Sequence, residues 1–408
     1  VRFLGFARGR LALFALIIHR ACRKFQINST APRMPRAQQG SPAMALHNID
    51  TVSIPSVVVP LIASVLIVLK ATGIVSDGAV PVLVVAAVLL GACVFAAVHH
   101  AEVLAARVGE PFGSIILAVA VTIIEVALIV SIMLAAGPGG DVVARDTVFS
   151  ALMIVLNGVI GLCLVLGGKR HHEQSFQLNA AAASLAVLAT VSILVLVLPN
   201  YTLNGAPGAY AAVQLLFVGA VCLVIYGVFI FIQTIRHRDY FMDEADDPEA
   251  GVPHKPPAKV TLASIVLLPV SLTMVVLLAK TLSGPLESGI AAAGLPKAFI
   301  GVVIAAIVLL PEGIASVRAA QLNRLQNAVN LVLGSALASI SLTVPVVAVL
   351  SVATGLELTL GLPPEHMVLL ILTLFVSTQT LGTGRTTVLQ GAVHLGIFAV
   401  FVLLAALP

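Results

Sequence analysis

Residues 112–125 read FGSIILAVAVTIIE and residues 299–312 read FIGVVIAAIVLLPE, two apolar stretches that align without a gap and end on a carboxylate. Each acid is the fourteenth residue of its stretch, or about 20 Å along a helix that rises 1.5 Å per residue. The likeness extends upstream. Glu102 precedes Gly109 by the same interval that separates Glu287 from Gly294, and the second copy has two extra residues between its glycine and its phenylalanine. The chain thus carries an internal repeat.

The rest of the sequence is as apolar as these segments. Of 408 residues, 59% are hydrophobic and only 10% charged, whereas roughly a quarter are charged in a soluble domain. No soluble fold of this size hides that much apolar surface. A bilayer span takes about 20 mostly apolar residues, and eleven such runs lie near 54–73, 80–98, 112–136, 147–167, 179–199, 209–235, 260–282, 299–317, 328–353, 366–382 and 386–406. The expected fold is all-α and polytopic.

Loop charge orients the spans, because Lys and Arg accumulate in cytoplasmic loops. With a cytoplasmic N-terminus, eight fall in the N-terminal segment and ten in inside loops, while Lys70, Arg145, Lys280 and Lys297 fall outside. The C-terminus is then external. The net charge of +4 reports topology and calls for no nucleic-acid partner. Cys22, Cys93, Cys163 and Cys222 stand at no metal or redox spacing and read as small core residues.

Five segments follow. Residues 1–48 are basic and read as a cytoplasmic tail or a start-site artefact, 49–78 hold an extra first helix, and 79–238 a first set of five spans. Residues 239–258 form a linker with six acids in the eleven residues Asp239–Glu249, and 259–408 a second set of five. An odd number of spans per repeat forces the second copy to insert upside down, the topology of inverted-repeat transporters.

Sixteen of the eighteen acids can be placed in loops, tails or span ends, and Glu125 and Glu312 cannot. An ionised carboxylate near mid-bilayer costs at least about 2.5 kcal/mol unless it is paired or hydrated, and no Lys or Arg in the sequence is deep enough to pair with either. Two carboxylates brought together at a pseudo-two-fold axis can hold one divalent cation or two protons. Competition between cation and proton for one site is antiport. Calcium takes six to eight oxygen ligands, so further donors are expected. Thr122 lies one turn before Glu125, and Pro311 leaves the Ile307 carbonyl without its helical donor and should open the helix locally. Asn157 and Ser335 are candidates for the ion path, with Asn330 nearby. Glu102 and Glu287, near span ends, are candidates for proton access or for snorkelling to the interface.

The pairs His99-His100 and His171-His172 project about 100° apart on a helix, a poor zinc geometry, and read as interfacial residues. No H-E-x-x-H, Gly-x-Ser-x-Gly or phosphate-loop pattern is present, which argues against an enzyme. A passive cation channel is the nearer rival, since buried acids also line pores.

On VLAARVGEPFGSIILAVAVTIIEVALIV, FIGVVIAAIVLLPEGIASVRAAQLN and NLVLGSALASISLTVPV, with the acidic linker between halves, residues 54–408 resemble the cation/calcium exchanger superfamily and its bacterial ChaA-type calcium/proton antiporters. The resemblance implies one extra helix and two inverted five-helix repeats in a bacterial inner membrane. It also implies exchange of cytoplasmic calcium for external protons, with Glu125 and Glu312 as the ion-binding acids and no cofactor beyond the transported ions. Many calcium/proton exchangers carry Gly-Asn shortly before each acid, where this chain has Thr122-Ile123-Ile124 and Leu309-Leu310-Pro311. Sodium or potassium therefore stands beside calcium as cargo, and a monovalent cation/proton antiporter is the alternative.

Overall fold

A computed structural model describes residues 53–75, 80–109, 112–135, 140–203, 206–241, 255–355 and 358–407. The N-terminal segment and most of the acidic linker lie outside the described residues. The eleven expected spans correspond to eleven helices: α1 Ile54–Ala71, α2 Val80–Val108, α3 Phe112–Ala135, α4 Val143–His171, α5 Leu178–Leu196, α6 Ala212–Arg236, α7 Ala258–Ala292, α8 Phe299–Gln321, α9 Leu325–Thr354, α10 Pro364–Leu381 and α11 Val388–Ala406. Ten are long and apolar enough to cross a bilayer, and α3 adds an apolar core over Ile116–Ser131.

Local chemistry sets the ends. The Ser53 hydroxyl accepts from the Ser56 amide at the start of α1, with proline in the first turn, so two of the orphan donors of a helix start are dealt with. Gly109 and Gly294, at matching repeat positions, both take left-handed backbone, with φ of 78° and 73°. Glycine does this without the Cβ clash that other residues meet, and the chain turns at each from one helix into the next.

Loop contacts test the parity of the spans. Gln174–Ser175, after α4, pairs as a short antiparallel bridge with Arg385–Thr386, after α10. Arg107 in the last turn of α2 donates to the carbonyl of Pro256 after α6, and His171 at the end of α4 meets the carbonyl of Gln321 at the end of α8. Loops after odd helices meet one another too: the Thr359 amide donates to the Asp141 carbonyl, and the Leu362 amide to that of Leu196. A missed or extra crossing would place one member of each pair on the wrong side.

Packing between the halves is reciprocal. With α2–α6 matched to α7–α11, α2 packs on its counterpart α7, and α5 on α10. Helix α4 packs on α8 and α11, while its counterpart α9 packs on α3 and α6. A two-fold relation between inverted five-helix repeats produces this exchange of partners.

Two spans are longer than hydropathy suggested. Helix α2 continues to Val108 and α7 to Ala292, so His99, His100, Glu102 and Glu287 are helical residues rather than loop-edge ones. His99 and His100, read from the sequence as interfacial residues, are both buried within the protein. His100 bonds the Ser264 hydroxyl of α7 at 3.1 Å and the Ser56 carbonyl of α1 at 3.2 Å. Polar residues lower the hydropathy of a span end, but here neighbouring helices supply their partners.

Candidate functional site: two carboxylates against α9

Glu125 on α3 is 3% exposed and Glu312 on α8 is 8% exposed. Both helices pack on α9. The spacing of Ser335, Ser339 and Thr343 on α9 is four residues, which stacks their hydroxyls along one face. The Ser339 hydroxyl donates to Glu125 Oε1 at 2.7 Å. Ser335, one turn before Ser339 on the same face of α9, lines a cavity together with Glu312, so the two matched carboxylates lie along one face of α9.

A cavity of about 230 Å³ runs between α3, α6, α8 and α9, with Gln233, Asn330, Ser335 and Glu312 among its polar lining residues. Gln233 closes α6 and Asn330 opens α9, so the cavity approaches Glu312 from the end of the bundle that carries the even-numbered loops. Glu312 Oε2 and Ser335 Oγ are buried and have no hydrogen-bond partner among the described residues. A buried polar atom without a partner costs about 1–3 kcal/mol. Two such atoms on one cavity wall make a place where a cation or a proton would be stabilised.

The other sequence candidates fall in different surroundings. The Thr122 hydroxyl donates to the Ala118 carbonyl at 2.8 Å. Pro311 is buried, and α8 stays helical through it, so the local opening expected there is not seen. Irregular turns occur instead in α4, where Ile154–Val159 form a π segment around Asn157, and at the end of α6, where Ile232–Arg236 form another. Asn157 bonds Thr373 of α10 at 2.9 Å and His394 of α11 at 3.1 Å, and His394 reaches Thr380 at 3.1 Å. It belongs to this buried network rather than to the cavity wall. Glu287 pairs with Lys297 at 2.7 Å, whereas Glu102, its repeat mate, is partly buried on α2. Sequence reasoning missed His394 and Asp146. Asp146 is 4% exposed and pairs with Arg145 at 2.8 Å. Its place at a span edge gave no signal, and only the fold closes over it.

The network around Asn157 predicts a stability effect. His394→Leu leaves the Asn157 carbonyl and the Thr380 hydroxyl without the ring, which should destabilise the protein by about 1–2 kcal/mol. Thermal unfolding in detergent measures it, and Asn157→Leu/His394→Leu should recover part of the loss because fewer orphans remain.

Comparison with known proteins agrees with this architecture. Residues 78–235 and 263–407 match the family described as sodium/calcium exchanger protein. The Sinorhizobium fredii protein y4hA is 60% identical over 86% of this chain and 95% of its own length. The sodium-potassium/proton antiporter ChaA of Escherichia coli is 39% identical over 76% of this chain and 84% of its own length. Among solved structures, native YfkE superposes with a TM-score of 0.67 at 16% identity, covering 86% of this chain and 100% of that one. The H+/Ca2+ exchanger CAX superposes at 0.63 and 15% identity, covering 86% and 89%. With its eleven helices, reciprocal halves and matched buried acids, the chain belongs to the sodium/calcium exchanger protein family, within the cation/calcium exchanger superfamily.

Proposed function

We propose that the chain exchanges cytoplasmic calcium, and also sodium or potassium, for external protons by alternating access at Glu125 and Glu312. The observation that carries this reading is the unpartnered Glu312 oxygen on the cavity wall, with Glu125 behind it on the same face of α9. A deprotonated pair would attract a cation from the cavity, and protonation would release it. The cavity reaches the site from the even-loop end, which the loop-charge count assigns to the cytoplasm. The sodium-potassium/proton name of the 39% identical relative supports monovalent cargo.

A second reading, a monovalent cation/proton antiporter without calcium selectivity, is favoured by the donor set. Carboxylates and hydroxyls from Glu125, Glu312, Ser335 and Ser339 give few neutral carbonyl oxygens, and calcium takes six to eight ligands. Everted vesicles with an acidic lumen distinguish the two. Calcium, sodium and potassium should each release protons on the first reading, and only sodium and potassium on the second. Magnesium, which dehydrates reluctantly, should do neither. If no cation releases protons, or if transport persists uphill once the proton gradient is collapsed, proton-coupled exchange fails.

A further inference from the structure

A groove of about 420 Å³ lies between α1 and α7, lined by Ile67 and Lys70 on one helix and by Leu277, Lys280 and Thr281 on the other. It is far in the chain from either carboxylate, and the exchange reaction makes no use of it. Each lysine sits three residues beyond an aliphatic neighbour, Ile67 before Lys70 and Leu277 before Lys280, so each helix presents one apolar step and then one cation. Lys280 is exposed and makes no ion pair among the described residues.

Depth along the membrane fits the same picture. Lys70 stands in the last turn of α1, about 24 Å along the helix from Ile54, and Lys280 about 33 Å from the start of α7 at 1.5 Å per residue. The hydrocarbon layer is about 30 Å thick, so the two ammonium groups reach its boundary where phosphate groups lie. Both belong to the small set of cations on the odd-loop end. The floor of the groove is open: a Cβ at Gly284 would meet nothing within 4 Å. Pro285 has no N–H to give to the Thr281 carbonyl four residues back, which leaves an acceptor for a headgroup hydroxyl.

We infer that this groove binds the phosphate of an anionic phospholipid between Lys70 and Lys280, with the acyl chain against Ile67 and Leu277. Both lysines line the one groove, and the aliphatic residue three positions before each would lie deeper in the membrane. Basic pockets between transmembrane helices bind lipid headgroups on the cytoplasmic side, and this groove would place the same chemistry at the odd-loop end. Lipid there would bridge the extra first helix to the second repeat.

Native mass spectrometry of the full chain in detergent, titrated with phosphatidylglycerol, phosphatidylcholine or inorganic phosphate, tests the inference. Phosphatidylglycerol should bind and phosphatidylcholine should bind more weakly. Each Lys→Gln change should weaken phosphatidylglycerol by about fivefold and K70Q/K280Q by about thirtyfold, given the worth of one basic residue near an anionic surface. K70R/K280R should restore binding, and monodispersity of each variant on gel filtration establishes that it is folded. Inorganic phosphate that binds as tightly as the lipid would overturn the acyl-chain part. Equal phosphatidylglycerol binding by wild type and K70Q/K280Q would overturn the site itself.

Discussion

Glu312→Gln and Glu125→Gln each reduce proton-coupled cation transport in everted vesicles by at least about a hundredfold, the scale set by breaking a buried charged partnership at 3–5 kcal/mol. Glutamine keeps the shape of the side chain and loses the charge that holds a cation and the proton that replaces it. Neither substitution should unfold the protein. Removing a carboxylate that is 8% or 3% exposed relieves a desolvation cost, so the melting temperature in detergent should hold or rise, the usual exchange of stability for activity at a functional site. Aspartate variants keep the charge on a shorter arm. They should transport with weakened cation affinity, since the carboxylate retreats from the cavity at Glu312 and from the Ser339 hydroxyl at Glu125. Full exchange in either glutamine variant, at wild-type abundance, would sink the shared-site mechanism.

Gly301→Leu should abolish accumulation of folded protein. A Cβ at Gly301 would lie 2.7 Å from the Asp146 carbonyl carbon, 2.8 Å from the Thr147 nitrogen and 2.9 Å from the Asp146 oxygen. These are backbone atoms, which cannot rotate aside as a flexible side chain can. Helices α8 and α4 touch main chain to main chain here, the close approach that small residues allow between membrane helices. Even Gly301→Ala should cost about 1–3 kcal/mol as an overpacked contact. Gly227→Ala is the control, because a Cβ there meets nothing within 4 Å. Melting temperatures by fluorescence-detected gel filtration compare the pair, and an unchanged value for Gly301→Ala would refute the contact. The effect should reach transport as well, since Glu312 lies eleven residues further along α8, about 16 Å away.

Helix number, order and parity were legible because each depends on local composition: an apolar run long enough to cross, bounded by polar residues. The buried acids were legible for the same reason, as charges in the wrong solvent. Helix ends were harder. His99, His100 and Glu102 lower the hydropathy of α2, yet the helix runs on to Val108, with Ser56 and Ser264, distant in sequence, meeting His100. The irregular turn was placed at Pro311, where local chemistry removes a hydrogen bond, yet α8 absorbs the proline. Irregular turns occur at Ile232–Arg236 and at Ile154–Val159 instead, the latter beside a polar network in which Asn157 of α4 meets Thr373 and His394, more than two hundred residues away. A window of sequence cannot see such a partner. Ser335 was legible as a candidate for the ion path and lines the cavity, whereas Ser339 gave no signal of its own and the fold sets it against Glu125.

The Glu287–Lys297 ion pair has a counterpart only in outline. At the matching place in the first repeat Glu102 is half-buried on α2 and makes no ion pair among the described residues, so the same repeat position is a strut in one half only. In a pair of identical inverted halves, swapping their conformations would convert the inward-facing form into the outward-facing one at no cost, and each would be half occupied at rest. Every difference between the halves tilts that balance, and about 1.4 kcal/mol tilts it tenfold. The resting direction of the transporter is thus written in where its two copies have ceased to match.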